Sequence, residues 1–333
     1  MSSETTTTRL PCYLGIDLGG TNVKAGVVDD QGRVLSSLSG PTEAVRGPDA
    51  GVTTLARLGR KAVDQSGVGW DHIAGVGLGS PGFMNIAAGM LLNPPNLPGW
   101  DDFPLRDRVA DALGRPVAFQ NDANAAAFGE SWVGAGRGAR SLVLFTLGTG
   151  VGCGIVLDGQ IVEGRHSHGA ECGHQVIQMD GGRLCPCGQY GHLEAYASAT
   201  ALVQRAIEAL AESDEPTPLR KRLAENELTA RSIDEAADAG DSLARRLMVE
   251  TARYLAVGAI NVMHTIDPDL VLFGGGMTAS GPVLIDNIRT FIRSLAFPTL
   301  AREVRVEYAT LGGDAGFIGA AGWARWTAAH LKR

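Results

Sequence analysis

The chain states one short pattern twice, and that repetition limits its fold more than any other feature. Residues 16–32 read Ile16-Asp-Leu-Gly-Gly-Thr21, a short strand, then Gly26-Val-Val-Asp-Asp-Gln-Gly32. Residues 145–159 read Phe145-Thr-Leu-Gly-Thr-Gly150, then Gly154-Ile-Val-Leu-Asp-Gly159. With one residue of slack, each is a strand, a glycine turn, a strand and an Asp-Gly turn. Chance similarity is one reading, because β-hairpins reuse Gly and Asp for their turns. The other is a duplicated fold whose two hairpins face one another across a cleft. Two glycine turns offering backbone N–H groups from both sides would clasp a polyphosphate.

Around the repeat, short apolar runs alternate with helical patterns, which points to a mixed α/β fold. CYLGIDL (12–18) reads as a buried strand, VKAGVV (23–28) as its hairpin partner and RVLSSL (33–38) as a third. A helix over about 48–66 and a strand at 73–79 follow, then a Gly-, Pro- and Asn-rich loop over 80–103. A helix over about 104–113 and the strand PVAFQ (116–120) lead to a helix start at NDANAAAFGE, which Asn121 or Asp122 can cap. The second half opens on the strand SLVLFTL (141–147) and runs through a mainly helical 195–265 to a strand at 269–275. It ends on a helix over 315–331 with Phe317, Ile318, Ala321 and Trp323 as packing residues. No low-complexity linker separates the halves. A hinge is expected near 122, dividing a smaller lobe (10–122 plus 317–333) from a larger one (123–316).

Composition excludes several classes. The 44% hydrophobic and 20% charged content is that of an ordinary soluble globular chain. A net charge of −7 argues against a nucleic-acid surface, which needs surplus Lys and Arg. No apolar run approaches the roughly 18 residues of a membrane span. The first nine residues, MSSETTTTR, lack the apolar core of a signal peptide and read as a disordered tail. Five cysteines make an odd count, and Cys185 and Cys187 are too close for an ordinary disulfide. A reducing cytoplasm with metal-bound or free thiols fits better than a secreted framework.

Several motifs carry chemistry. Asp17-Leu-Gly19-Gly20-Thr21-Asn22-Val-Lys24 joins a turn of close backbone approach to a carboxylate, a hydroxyl and a cation. That set suits the terminal phosphates of a nucleotide with its Mg²⁺, which prefers one or two carboxylates plus phosphate oxygens. A plain β-turn with a solvated lysine is the alternative. The second turn, Gly148-Thr149-Gly150, carries no acid, so only the first should handle metal. Gly275 and Gly276, after a buried strand, either let a flat adenosine lie against the backbone or simply make a tight turn. Gly77-Leu-Gly79-Ser-Pro-Gly82 matches a dinucleotide fingerprint by letter, but Pro81 stands where a helix is needed. No G-x-x-x-x-G-K-[S/T] loop occurs. Asn121-Asp122 is either an ordinary N-cap or a reacting group, with Asp122 as general base and Asn121 orienting a neighbouring hydroxyl.

The densest signal runs from His174 through Cys185, Cys187 and His192, with Glu171 and Glu194 at its edges. Two thiols and two imidazoles make a closed tetrahedral set for a structural Zn²⁺. The alternative is free thiols and solvent-facing histidines. Cys12, Cys153 and Cys172 read as plain buried thiols.

Taken in order and spacing, Asp17-Leu-Gly-Gly-Thr21, Asn121-Asp122, Ala170-Glu171-Cys-Gly-His174 and Cys185-x-Cys187-Gly-x-x-Gly191-His-x-Glu194 resemble the ROK family of sugar kinases, over residues 11–330. The resemblance implies an α/β, bilobal fold of the actin and hexokinase type (ribonuclease H-like), with a nucleotide and sugar cleft between two lobes. It implies ATP under the two glycine turns and Asp122 as the base that activates a hexose 6-hydroxyl. Asn96, Asn121, Glu171, His174 and Glu194 would bind sugar hydroxyls, His174 serving zinc and sugar through different ring nitrogens. Glucose is the first expected substrate. N-acylmannosamine, N-acetylglucosamine, mannose or fructose, polyphosphate as donor, and a catalytically silent sugar sensor are the alternatives. The family's repressors carry an N-terminal helix-turn-helix, for which a phosphate motif at residue 17 is expected to leave no room. A homodimer or dimer of dimers is also implied. The family pattern has a third cysteine where this chain has His192; Cys2His2 still suits Zn²⁺, with Cys172 or a water as the other candidates for fourth ligand.

Overall fold

A computed structural model of the chain describes residues 10–330. The expected disordered tail at 1–9 and residue 331 of the expected last helix lie outside the described residues. The chain forms two compact units. The first takes in the residues through Gly134, then Glu163–Gly169, and the chain from Gly313 onward. The second comprises Ala135–Val162 and Ala170–Gly312.

In the first unit β1 (Cys12–Leu18), β2 (Asn22–Asp29), β3 (Val34–Pro41) and β4 (Ile73–Ser80) precede a small hairpin, β5 (Phe83–Asn85) and β6 (Met90–Asn93). The last strand, β7 (Val117–Asn121), completes a five-stranded sheet of order β3-β2-β1-β4-β7. β1 pairs antiparallel with β2 and parallel with β4, and β4 pairs parallel with β7. Side chains alternate across a strand. Leu14 and Ile16 therefore meet the amphipathic helix Pro48–Ser66 at its Gly59, while Gly15 faces the other way. There the helix Ala315–His330 comes so close that a Cβ on Gly15 would lie 1.8 Å from the Phe317 carbonyl oxygen. Gly77 of β4 meets the Ala320 carbonyl in the same way. At these two positions glycine is what lets the helix backbone lie against the sheet.

The second unit repeats the plan. β8 (Ser141–Leu147), β9 (Val151–Leu157), β10 (Gln160–Ile161), β11 (Leu270–Gly274) and β12 (Arg305–Tyr308) form a sheet of order β10-β9-β8-β11-β12. Its pairings are antiparallel, antiparallel, parallel and parallel, as in the first sheet. Two sheets of identical order and sense are what a duplicated fold requires, and chance hairpin similarity does not supply the matching parallel strands. Phe145 and Phe273 stack across β8 and β11 at 5.5 Å. The long helix Ser242–Ile266 covers this core with Leu247, Leu255 and Ala259, and is capped by Asp241, whose Oδ1 accepts from the Ala244 N–H at 2.8 Å.

One expectation needs correction. Residues 80–103, read as loop, contain the β5–β6 hairpin, and Leu91 bridges Phe103. Met84, Leu91, Leu97 and Trp100 are buried there. Strands of three and four residues among Gly, Pro and Asn leave no alternation long enough to read. Among the described residues no helix is long and apolar enough to cross a membrane.

Candidate functional site

The first unit holds an acid beside a glycine turn. Asp17 and Lys24 are opposite each other in the β1–β2 ladder, one pair in from the turn at Gly19-Gly20-Thr21, with Leu18 and Val23 paired between them and it. The turn is fixed by the Gly19 N–H donating to the Asn22 carbonyl at 2.9 Å and by the Thr42 hydroxyl donating to the Gly19 carbonyl at 2.6 Å. Asn96 lies over it, since a Cβ on Gly20 would come within 2.9 Å of the Asn96 carbonyl oxygen. Asp17 retains some exposure yet is closely surrounded. Burial pushes its carboxyl up to about 6 against the pull of the Lys24 ammonium. The start of the helix Ala315–His330 is what crowds it: a Cβ on Gly316 would sit 2.2 Å from Asp17 Oδ2. Lys24 is not a solvated cation. Its Nζ donates to Asp314 at 2.7 Å and to the Gly313 carbonyl at 2.8 Å.

β7 ends at Asn121, and Asp122 begins the helix Asp122–Val133. Asn121 is the cap: its Oδ1 accepts from the N–H groups of Ala123 and Asn124 at 2.9 and 3.1 Å. Asp122 Oδ1 accepts from the Ala123 N–H at 2.8 Å. A buried amide holds this junction from behind. Gln120 Oε1 accepts from the Asn121 N–H at 2.8 Å and from Asn124 Nδ2 at 3.1 Å, while its Nε2 donates to Glu163 at 2.7 Å. Asn124 Oδ1 is buried with no partner, an orphan that costs about 1–3 kcal/mol.

The second unit places its acids around a metal-type cluster. Ligand atoms of His174, Cys185, Cys187 and His192 lie within 4.8 Å of one another. The two Nδ1 atoms are 3.3 Å apart, Cys187 Sγ is 3.3 Å from His192 Nδ1, and Cys185 Sγ is 3.8 Å from His174 Nδ1. Tetrahedral zinc, with bonds of about 2.0 Å to N and 2.3 Å to S, sets its ligand atoms about 3.3–3.8 Å apart. The four residues therefore fit a small tetrahedral dication. Burial pushes the Cys185 thiol up to about 12. Burial, and then the neighbouring His174, hold the His192 imidazole below its ordinary value. A cation bound here would displace the thiol protons, since the thiolate is the ligand. Cys172 is buried and outside this group of four.

His174 does present its two ring nitrogens to different partners: Nδ1 to the cluster, Nε2 to Glu171 at 3.9 Å. Glu194 turns one oxygen toward Cys185 at 3.8 Å, and its Oε2 accepts from the Val151 N–H at 2.9 Å, at the edge of the turn Gly148-Thr149-Gly150. A Cβ on Gly150 would meet that oxygen at 2.3 Å. Gly275, at φ 91, packs against the Leu147 backbone, so the turn at Gly275-Gly276 lies beside the end of β8. The cluster, Glu171, Glu194 and both glycine turns of this unit are therefore one constellation. Sequence reasoning missed Gln120, Asn124, Glu163 and Asp314. Gln120 is separated from Glu163 by 43 residues, and Lys24 from Asp314 by 290, so no local spacing announces either pair.

The chain matches known proteins across nearly its whole length. The ROK family model matches residues 13–326. A glucokinase from Halalkalibacterium halodurans is 36% identical over 93% of this chain and 94% of its own length. A solved ROK family glucokinase from Streptomyces griseus, in complex with glucose and AMPPNP, is 34% identical with a TM-score of 0.79, covering 95% of this chain and 99% of that one. A xylose repressor from Caldicellulosiruptor bescii is 27% identical over 92% of this chain and 76% of its own. The chain belongs to the ROK family, with the two five-stranded sheets of its hexokinase structures.

Proposed function

We propose that this chain transfers the γ-phosphoryl group of ATP to the 6-hydroxyl of a hexose, glucose first. The observation that carries the reading is the likeness to a glucokinase at 36% identity over 93% of the chain. The matched stretch, 13–326, contains every residue given a role here.

Asp122 is assigned as the general base, taking the proton of the 6-hydroxyl while that oxygen attacks phosphorus and the bond to the leaving ADP breaks. Asn121 spends its carbonyl on the cap, which leaves its amino group to donate to a sugar hydroxyl. Asn96, Glu171, His174 and Glu194 are assigned to the remaining hydroxyls. Carboxylates suit that task because ring hydroxyls are donors and anionic acceptors bind them strongly. Gly19, Gly20 and Thr21 with Gly148, Thr149 and Gly150 are assigned to the phosphates, and Gly275 and Gly276 to the nucleoside. Asp17 would hold Mg²⁺, which when bound offsets phosphate charge. Lys24 would reach phosphate by exchanging its Asp314 partner. His174, Cys185, Cys187 and His192 would hold one structural Zn²⁺ per chain, fixing the directions of Glu171 and Glu194.

A coupled ADP-release assay across a panel of hexoses tests the reading. The expected result is turnover with glucose in step with glucose 6-phosphate. Sugar binding with no turnover of any hexose would instead favour a silent sensor, the reading suggested by the repressor relative.

A further inference from the structure

The segment Glu163–Gly169 leaves the second unit's chain, packs within the first unit, and returns at Ala170. Three contacts seat it. Ser167 Oγ accepts from the Ile86 N–H at 3.0 Å, His168 meets the Phe83 ring edge-on at 5.7 Å, and Glu163 accepts from Gln120 Nε2 at 2.7 Å. The first two only hold the strap on the β5–β6 hairpin. The third reaches the helix start that carries Asp122.

Gln120 is fully buried, and both ends of its amide are committed. An amide can rotate by half a turn about its last torsion and exchange oxygen for nitrogen at almost no steric change. If it did so here, the Asn121 N–H and Asn124 Nδ2 would face a donor instead of an acceptor. Glu163, an acceptor and never a donor when ionised, opposes that rotation from the other end of the amide, as the Asn121 N–H does from its own. Asn124 has a buried carbonyl without a partner, so its amino group on Gln120 is the one polar contact this side chain keeps within the junction. The amide is thus held at both ends, at one of them from a strap that leads on to Glu171 and His174.

We infer that Gln120 and Glu163 are positioning residues for Asp122. Glu163 locks the Gln120 amide, the amide fixes the Asn121 backbone and the first helical turn, and the turn aims the Asp122 carboxylate. The inference rests on Asp122 as the base for its effect on turnover, though not for its effect on the helix start.

The test compares Glu163→Ala, Glu163→Gln, Gln120→Glu and the exchanged pair Gln120→Glu/Glu163→Gln in the full chain. Glu163→Ala should lower kcat about tenfold with little change in KM for ATP, since a small misplacement of a reacting group has effects of that order. Glu163→Gln keeps an acceptor and should remain near wild type. Gln120→Glu sets two carboxylates together and should fall at least as far as Glu163→Ala. Adding Glu163→Gln restores a donor facing an acceptor and should recover most of the loss. Hydrogen exchange at the Asn121 N–H should quicken in Glu163→Ala and Gln120→Glu and slow again in the exchanged pair, a readout that needs no turnover. A Glu163→Ala kcat within twofold of wild type, or exchange at Asn121 unchanged in both single variants, would overturn the inference. A wild-type chain without turnover would remove Asp122 from its role, and the exchange data would still decide whether Glu163 locks the amide.

Discussion

The two glycine turns share a topology and differ in chemistry. In the first unit the ladder positions one pair in from the turn are Asp17 and Lys24; in the second the matching positions are Thr146 and Gly152. Both turns are of the strand–glycine turn–strand kind to which the phosphates are assigned. Charge was kept at one of them. The second turn is buttressed instead by Glu194, an acid that arrives from the cysteine- and histidine-rich loop. On the proposed assignments, metal handling and proton transfer fall to the first unit, and the carboxylates that would accept from sugar hydroxyls, Glu171 and Glu194, to the second.

That division can be broken from either side. The largest expected effect is on Asp122→Asn, which removes the assigned base and should lower kcat by roughly 10²–10⁴-fold. Glucose affinity by calorimetry should stay near wild type. A variant that keeps substantial turnover would strip the first unit of its chemical role.

His192→Ala attacks the other side. It should lose zinc, seen by elemental analysis against about one ion in the wild type, and lose glucose affinity with it by roughly 10–100-fold. Nucleotide binding should persist. Purified wild-type protein without zinc would remove the metal from the account. Loss of nucleotide binding along with sugar would show that the cluster supports more than the sugar-binding acids.

The smallest effect sharpens the contrast between the turns. The Asp17 carboxyl is held up to about 6, above its unfolded value. The folded chain then keeps a proton that the unfolded chain has released. Without Mg²⁺, stability is therefore greatest below about pH 4 as far as this group is concerned, and falls as pH rises to about 6. The loss at neutral pH is about 3 kcal/mol at most, from the linkage of pKa to stability. Asp17→Asn should abolish that slope in apo-protein melts and stabilise the chain at pH 7. Thr146, the matching position of the second turn, carries no such group, so substituting it should leave the pH dependence untouched.

Much of the fold is legible in the amino-acid sequence. β1, β4 and β8 are continuous apolar runs, long enough to read, and the repeated strand–turn–strand already implied two copies of one fold. Four ligand-type side chains between His174 and His192 also sit close enough in sequence to be recognised. What escaped had no local signature. The β5–β6 hairpin is too short for alternation, and Gln120 looks like a polar strand end although it is fully buried. Lys24 reads as a free cation until Asp314 returns to it from the far end of the chain. Long-range polar pairs are decided by topology, and topology is what periodicity does not carry.

The central claim is that the first unit's acid moves a proton so that phosphate can pass to a hexose. Phosphorus NMR of the purified chain with ATP, Mg²⁺ and glucose addresses it most directly. The account predicts loss of the γ-phosphate resonance and growth of a phosphomonoester on the sugar C6, and neither change with Asp122→Asn. An unaltered ATP spectrum at saturating glucose, or the same product formed equally well by Asp122→Asn, would contradict it.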